Sequence, residues 1–181
     1  MGRRPANLPP RARWIAKADE ASEEGSNTTG TASTLLETEG FLFSAIAPSL
    51  IEAYQGTEYR VDGPQGFTLR IGQRSAELAA AHAAHRANCS AFITAWNPFS
   101  EATDDAVNRE RQAQLWAELT RRGLHHEPGI GQHPSHQWPG EDSVLVFGLD
   151  QEAAKTLAHR FQQNAFVWAG ADAVPQLILM R

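Results

Sequence analysis

No stretch of the 181-residue chain approaches the roughly 20 consecutive apolar residues that a membrane-spanning helix needs. There is one cysteine, Cys89, so no disulfide can form within the chain, and a reducing cytoplasm is the expected compartment. Positive charge is in short supply. Sixteen Lys and Arg stand against 21 Asp and Glu, a net charge of −5 with neutral histidines, which disfavours nucleic acid as a partner. No G-x-S-x-G elbow is present, so the usual Ser-His-Asp setting is missing. Gly129 and Gly131 have no third glycine at the dinucleotide spacing, and no phosphate-loop lysine follows them. The histidines follow no known zinc spacing, so no metal and no cofactor is assigned.

What is present suits a soluble globular protein: 41% apolar and 20% charged residues, enough for a real core. Residues 1–44 read as a disordered tail. Pro5, Pro9 and Pro10 interrupt its start, and residues 23–31 are rich in Gly, Ser, Asn and Thr without apolar period. Such a segment buries too little to offset its ordering entropy. Arg3, Arg4, Arg11 and Arg13 have no apolar run behind them, unlike a secretory signal. A docking segment at residues 11–17, anchored by Trp14 and Ile15, is the alternative. Residues 45–181 are expected to form one domain.

Within that domain the periodicities change repeatedly. A short helix is predicted over residues 48–55, with Leu50, Ile51 and Tyr54 inward. A hairpin follows, with Tyr59 and Val61, then Phe67, Leu69 and Ile71, alternating with polar neighbours. Ser75 caps an alanine-rich helix running to about residue 86. Residues 89–96 are nearly all apolar, as in a strand buried on both faces, and Asn97-Pro98 ends it. A helix over residues 104–122 stops at Gly123. Residues 124–130 are expected as an outer strand, 129–140 as a loop, and 143–149 as a second apolar strand. Asp150 caps a helix burying Ala154, Leu157, Ala158 and Phe161, and Asn164 is expected as its left-handed cap. Strands close the chain at 165–169 and 176–180. The predicted fold is α+β: a mixed sheet with helices packed on it, in the ferredoxin-like split βαβ order of strand, helix, strand, strand, helix, strand, preceded by a β-hairpin.

The strand with its exit, Ala91-Phe92-Ile93-Thr94-Ala95-Trp96-Asn97-Pro98-Phe99-Ser100, is the most specific stretch. With Ala53-Tyr54, Tyr59-Arg60-Val61, Leu69-Arg70-Ile71-Gly72, Asn108, Arg111, Leu115, Gly129, Gly131, Trp138, Glu141, Ser143 and Phe161-Gln162-Gln163-Asn164-Ala165, it resembles a bacterial family catalogued as domain of unknown function 3293. The resemblance covers roughly residues 46 to 170 and implies no activity, substrate or cofactor.

The candidate ligand-binding residues are Asn97, Ser100, Asn108, Arg111 and Glu141. Ligands favour the carboxyl ends of sheet strands, and Asn97 and Ser100 follow the apolar strand. Asn108 and Arg111 lie three apart on one helix face. Arg111 can hold a carboxylate or phosphate through two donors. Against a phosphate, Asp104 and Asp105 fill the helix's first turn. The structural alternative is that these groups cap turns and tie the helix to the loop. Glu141, beside Trp138, is a general acid or base if buried. Three roles remain: a binding or regulatory module for a small molecule or protein, an enzyme of undefined reaction using Glu141, and a partner surface carrying Arg60 and Arg70. His125, His126, Glu127, His133 and His136 are the potential metal donors, with loop exposure the ordinary reading, and His82 and His85 read as surface or packing residues on their helix.

Overall fold

The computed structural model describes residues 46–63, 65–136 and 139–181. The expectations for the tail, for Pro64 in the hairpin turn and for Trp138 lie outside the described residues. The chain is α+β. A first helix α1 (Pro48–Gly56) leads into strands β1 (Glu58–Val61) and β2 (Phe67–Leu69), helix α2 (Ala76–Ala84), strand β3 (Ser90–Thr94), a 3-10 turn (Pro98–Ser100), helix α3 (Asp105–Arg121), strands β4 (His126–Gln132) and β5 (Glu141–Phe147), helix α4 (Gln151–Arg160), and strands β6 (Ala165–Ala169) and β7 (Gln176–Leu179). The strands form one sheet in the order β2-β1-β4-β5-β3-β6-β7.

Every strand pairing among the described residues is antiparallel, which corrects the expected mixed sheet. The reason lies in the crossovers. β3 and β4, joined through α3, run in the same direction, but β5 lies between them and opposes both. Likewise β5 and β6, joined through α4, are separated by β3. The parallel relations are therefore never between neighbours. The strand at residues 124–130 is also not an outer one. β1 pairs along its far side, so β4 is internal, and the β1–β2 hairpin forms that edge instead.

β3 and β5 are continuous apolar runs because each face of the sheet has its own core. Ala91, Ile93, Val144 and Val146 meet Leu115 and Leu119 of α3 and Leu157 and Phe161 from α4 and its end. Phe92, Leu145 and Phe147 point the other way, to Tyr59, Val61, Leu69 and Leu78 of the hairpin and α2. The caps follow the sequence reading. Ser75 Oγ accepts from the Leu78 N–H at 3.0 Å, and Asp150 Oδ1 from the Ala153 N–H at 2.8 Å. Gly123 takes φ +66 after α3. At the end of α4 the left-handed residue is Gln162, φ 58, rather than Asn164, because the chain must reverse before it enters β6 at Ala165. Glu118 ties α3 to α4. It accepts from Arg121 and Arg122 and lies 3.2 Å from Arg160 Nη1, and the two neighbouring guanidiniums lower its carboxyl to about 2.

Gly129 and Gly131, expected in a loop, lie inside β4 opposite Val61 and Tyr59. Gly129 is there for packing. A Cβ at Gly129 would sit 2.5 Å from the Arg60 carbonyl and 2.7 Å from the Phe92 ring, whereas one at Gly131 would meet Thr57 and Tyr59 at an ordinary 3.8 Å. Phe92, edge-to-face with Tyr59 at 5.4 Å, occupies the room the missing side chain of Gly129 leaves. Gly129→Ala is expected to lower stability by about 1–3 kcal/mol, the range for overpacking a filled core. Urea unfolding of the variant checks it, and an unchanged midpoint would reject the packing account.

Candidate functional site

The site starts where β3 runs out of neighbours. Its ladder to β6 ends at Phe92 and that to β5 at Thr94, yet the chain continues inward through Ala95, which is fully buried. Buried backbone groups need partners, and here side chains supply them. The Ala95 N–H donates to Gln112 Oε1 at 2.9 Å, and the Ala95 carbonyl accepts from Arg111 Nε at 2.9 Å. The Trp96 N–H donates to Thr94 Oγ1, and the Trp96 carbonyl accepts from Gln163 Nε2 at 2.9 Å. The Asn97 N–H donates to Asn108 Oδ1 at 2.9 Å, and its carbonyl accepts from the Ser100 N–H at 2.7 Å. Asn108, Arg111 and Gln112 can do this together because i, i+3 and i+4 share one helix face, which continues into the buried Leu115 and Leu119.

From there the chain takes three left-handed steps within four residues: Asn97 (φ 43), Phe99 (φ 54) and Ser100 (φ 61). Such conformations cost non-glycine residues energy and persist only when their surroundings impose them. The imposing contacts are polar. Asn97 Oδ1 accepts from Asn108 Nδ2 at 3.0 Å and from the Thr103 N–H at 3.1 Å, while Asn97 Nδ2 donates to Glu141 Oε1 at 2.6 Å. The Phe99 N–H donates to the Gln162 carbonyl at 2.6 Å. Ser100 Oγ is 2.5 Å from the Tyr54 hydroxyl and accepts from Asn164 Nδ2 at 3.0 Å. Asn164 Oδ1 accepts from Arg181 Nε at 2.7 Å, and the Arg181 guanidinium lies 4.4 Å from the centre of the Phe99 ring.

The five residues singled out in the sequence therefore fall around one strand end, in three settings. Asn97, Asn108 and Glu141 form one hydrogen-bonded chain. Ser100 joins a second group, with Tyr54 and Asn164. Arg111 turns its guanidinium to two backbone carbonyls, Ala95 and, at 2.6 Å, Phe161. Tyr54, Thr103, Gln163 and Arg181 were not among the candidates. Tyr54 and Gln163 stand in the motifs that carried the family resemblance, and this was the available signal. Thr103 and Arg181 gave none. Arg60 and Arg70, read as a basic patch, are paired with Asp62 and Glu58.

Glu141 is electrostatically distinct. Burial pushes its carboxyl above the usual carboxylate range, only partly offset by the bond from Asn97. Burial also raises the Tyr54 phenol, and the Glu141 charge adds to that rise. The Trp96 indole Nε1 is buried without a hydrogen-bond partner among the described residues.

Residues 93–166 match the model of a family described as a protein of unknown function, DUF3293, and over this segment the chain resembles that family. The segment starts within β3 and ends within β6, and it contains Asn97, Ser100, Asn108, Arg111 and Glu141, while Tyr54 and Arg181 lie outside it. No curated protein and no solved structure matches the chain. No helix among the described residues is long and apolar enough to cross a membrane.

Two predictions follow from the bonding. Asn108→Ala removes the partner of the Asn97 N–H from a fully buried position and is expected to cost about 2–3 kcal/mol, read by chemical unfolding. A loss below a few tenths would mean the loop holds without it. Glu141→Gln keeps an acceptor for Asn97 but removes the charge. A raised folded pKa gives wild type a contribution that is full below the ordinary carboxylate range and lost as pH rises through the folded value. The Gln variant should therefore match wild type in acid and become the more stable of the two towards neutral pH. Thermal unfolding across that window tests it, and a wild type that gains on the variant as pH rises would refute the assignment.

Proposed function

We propose that the polar cluster after β3 is the ligand site of a binding or regulatory module, and that Glu141 with the Tyr54–Ser100 pair is its recognition surface. The observation that carries this is the division of labour among the polar groups. Asn108, Arg111, Gln112 and Gln163 are spent on backbone atoms of residues 95–97 and 161, so their part is positioning. Among the described residues Glu141 accepts one side-chain bond, from Asn97, and its carboxylate satisfies no backbone N–H. A half-buried carboxyl with an uncommitted oxygen, beside two hydroxyls and a strained loop, is a group the fold does not require. The ligand class that fits is a small polar molecule presenting an amine or hydroxyl donor to Glu141. A protein partner would have to offer the same donor from a side chain.

An enzyme using the same site is the second reading, and the raised carboxyl of Glu141 favours it, because a general acid must keep its proton near working pH. The split βαβ reading of the fold belongs with this proposal. It rests on the in-sheet order β4-β5-β3-β6, with the β1–β2 hairpin added at one edge. Residues 45–181 are proposed as the functional domain, and its residence in the cytoplasm is part of the same reading.

Native mass spectrometry of untagged protein purified gently from cells is the direct test. A bound mass that is retained in Arg60→Ala but lost in Glu141→Gln and Ser100→Ala, with circular dichroism unchanged, supports the site. A bound mass indifferent to both site variants would defeat it. So would the absence of any bound mass combined with no thermal shift from a panel of small amines and polyols. Conversion of an added panel compound by wild type and not by Glu141→Gln would decide for the enzyme.

A further inference from the structure

The geometry points to a second site at the other end of the β4–β5 pair, where His85, His125 and Glu127 would bind one divalent transition-metal ion of the zinc class. His85 caps the C-terminus of α2. His125 and Glu127 sit at the start of β4, fixed by the Phe147 N–H donating to the His125 carbonyl at 2.9 Å and by Glu127 lying opposite Leu145. Side chains alternate along a strand, so residues 125 and 127 share the face covered by α2. His126 points to the other face, against Trp116 of α3. The alternation selects two of three consecutive residues and delivers them to a histidine from a distant part of the chain.

One donor atom from each of the three residues lies within 4.8 Å of the other two, and His85 Nε2 is 3.7 Å from Glu127 Oε1. A tetrahedral ion with bonds of about 2.0–2.2 Å needs donors roughly 3.3 Å apart, so side-chain rotations closing an ångström or so complete the set. The two imidazoles stack on each other with centroids 3.9 Å apart, and the His85 ring lies 4.3 Å from that of Phe147, which gives the site an apolar floor. A Cβ at Gly63 would lie 3.0 Å from Glu127 Oε2, so the hairpin turn confines the carboxylate from the far side.

The decisive contrast is with the other histidines. Of the other five, His82 bonds Ser90, His126 bonds the Leu124 carbonyl and His133 bonds Ser135, while His136 and His159 belong to no group of three donors among the described residues. The ring nitrogens of His85 and His125 make no hydrogen bond to the described residues and are available for coordination. Two neutral imidazoles and one carboxylate leave the fourth tetrahedral position to water, the arrangement of an open rather than a closed zinc site. The inference does not depend on the ligand reading above. The two sites lie at opposite ends of β4, about 17 Å apart at a strand's rise per residue.

The test uses the full chain, stripped with a chelator and titrated with Zn2+ by calorimetry and with Co2+ by visible absorption. Wild type should take up one equivalent of Zn2+ and develop the intense absorption of four-coordinate Co2+. His85→Ala and His125→Ala should each weaken Zn2+ binding by roughly 100-fold or more, beyond the loss typical of an outer-shell partner. His126→Ala and His133→Ala, which remove the same number of imidazoles, should bind as wild type does. If His85→Ala fails to fold, Glu127→Gln supplies the same test with no change in side-chain size. Failure of wild type to bind Zn2+, or equal losses in the target and control variants, would overturn the proposal.

Discussion

The carboxamide of Asn108 is fully buried and faces the end of β3 with an acceptor and a donor at once. Its oxygen takes the Asn97 N–H, and its nitrogen donates to Asn97 Oδ1 and to the Thr103 carbonyl. A hydroxyl cannot make this two-ended contact and an apolar residue makes none of it. With this amide in place, the left-handed turn at Asn97 is held from both backbone and side chain, and Asn97 Nδ2 is left pointing at Glu141. The position of the carboxylate on β5 and the course of the loop up to Ser100 both derive from that arrangement. A buried polar network of this kind is costly unless satisfied, which explains why so many amides gather here: Asn97 and Asn108 bond each other, Gln112 and Gln163 close backbone groups of residues 95, 96 and 161, and Asn164 bonds Ser100 and Arg181.

The sheet supplies the second constraint. Because β3 and β5 are covered on both faces, neither can slip by one residue without exchanging its two cores. A fixed register sets Glu141 opposite Gly131 and Leu145 opposite Glu127, and so determines what stands at each end of the β4–β5 pair. Gly129 of β4 belongs to the same constraint. It lets β1 and β4 approach beside the Phe92 ring, which packs edge-to-face on Tyr59, and Tyr59 in turn donates its hydroxyl to the Tyr54 carbonyl at 2.7 Å. Tyr54 reaches Ser100 from that support, so hairpin packing is transmitted to the loop after β3.

Local features were legible in the sequence and non-local ones were not. The caps at Ser75 and Asp150, the stop at Gly123 and the exit at Asn97-Pro98 depend on a few adjacent residues, and each appears where its chemistry placed it. The antiparallel sheet order, the internal position of β4 and the burial of His82 depend on which strands meet, and periodicity carries no such information. The G-x-G at 129 and 131 looked like a loop because the ring that fills the space at Gly129 comes from a residue about 40 positions earlier. Arg111 was legible as a residue of consequence. Its target was not, since nothing local says that it would reach two carbonyls, 16 and 50 residues away.

The same reasoning separates groups that build the site from groups that could use it. A side chain whose bonds all end on buried backbone is accounted for by folding, whatever its charge, and Arg111 meets that description. A side chain that is half-buried, titratable and not needed by any backbone atom has no such account. Glu141 meets this second description at one end of β4, and His85 and Glu127, with the exposed His125 beside them, meet it at the other. The segment resembling the family, 93–166, contains Glu141 and the residues that position it together with two of the three metal donors, but not His85. The strand end and its carboxylate thus lie wholly within the stretch that carries the resemblance. Both proposed sites are completed from outside that stretch, the metal donors by His85 at the end of α2 and the recognition surface by Tyr54 of α1.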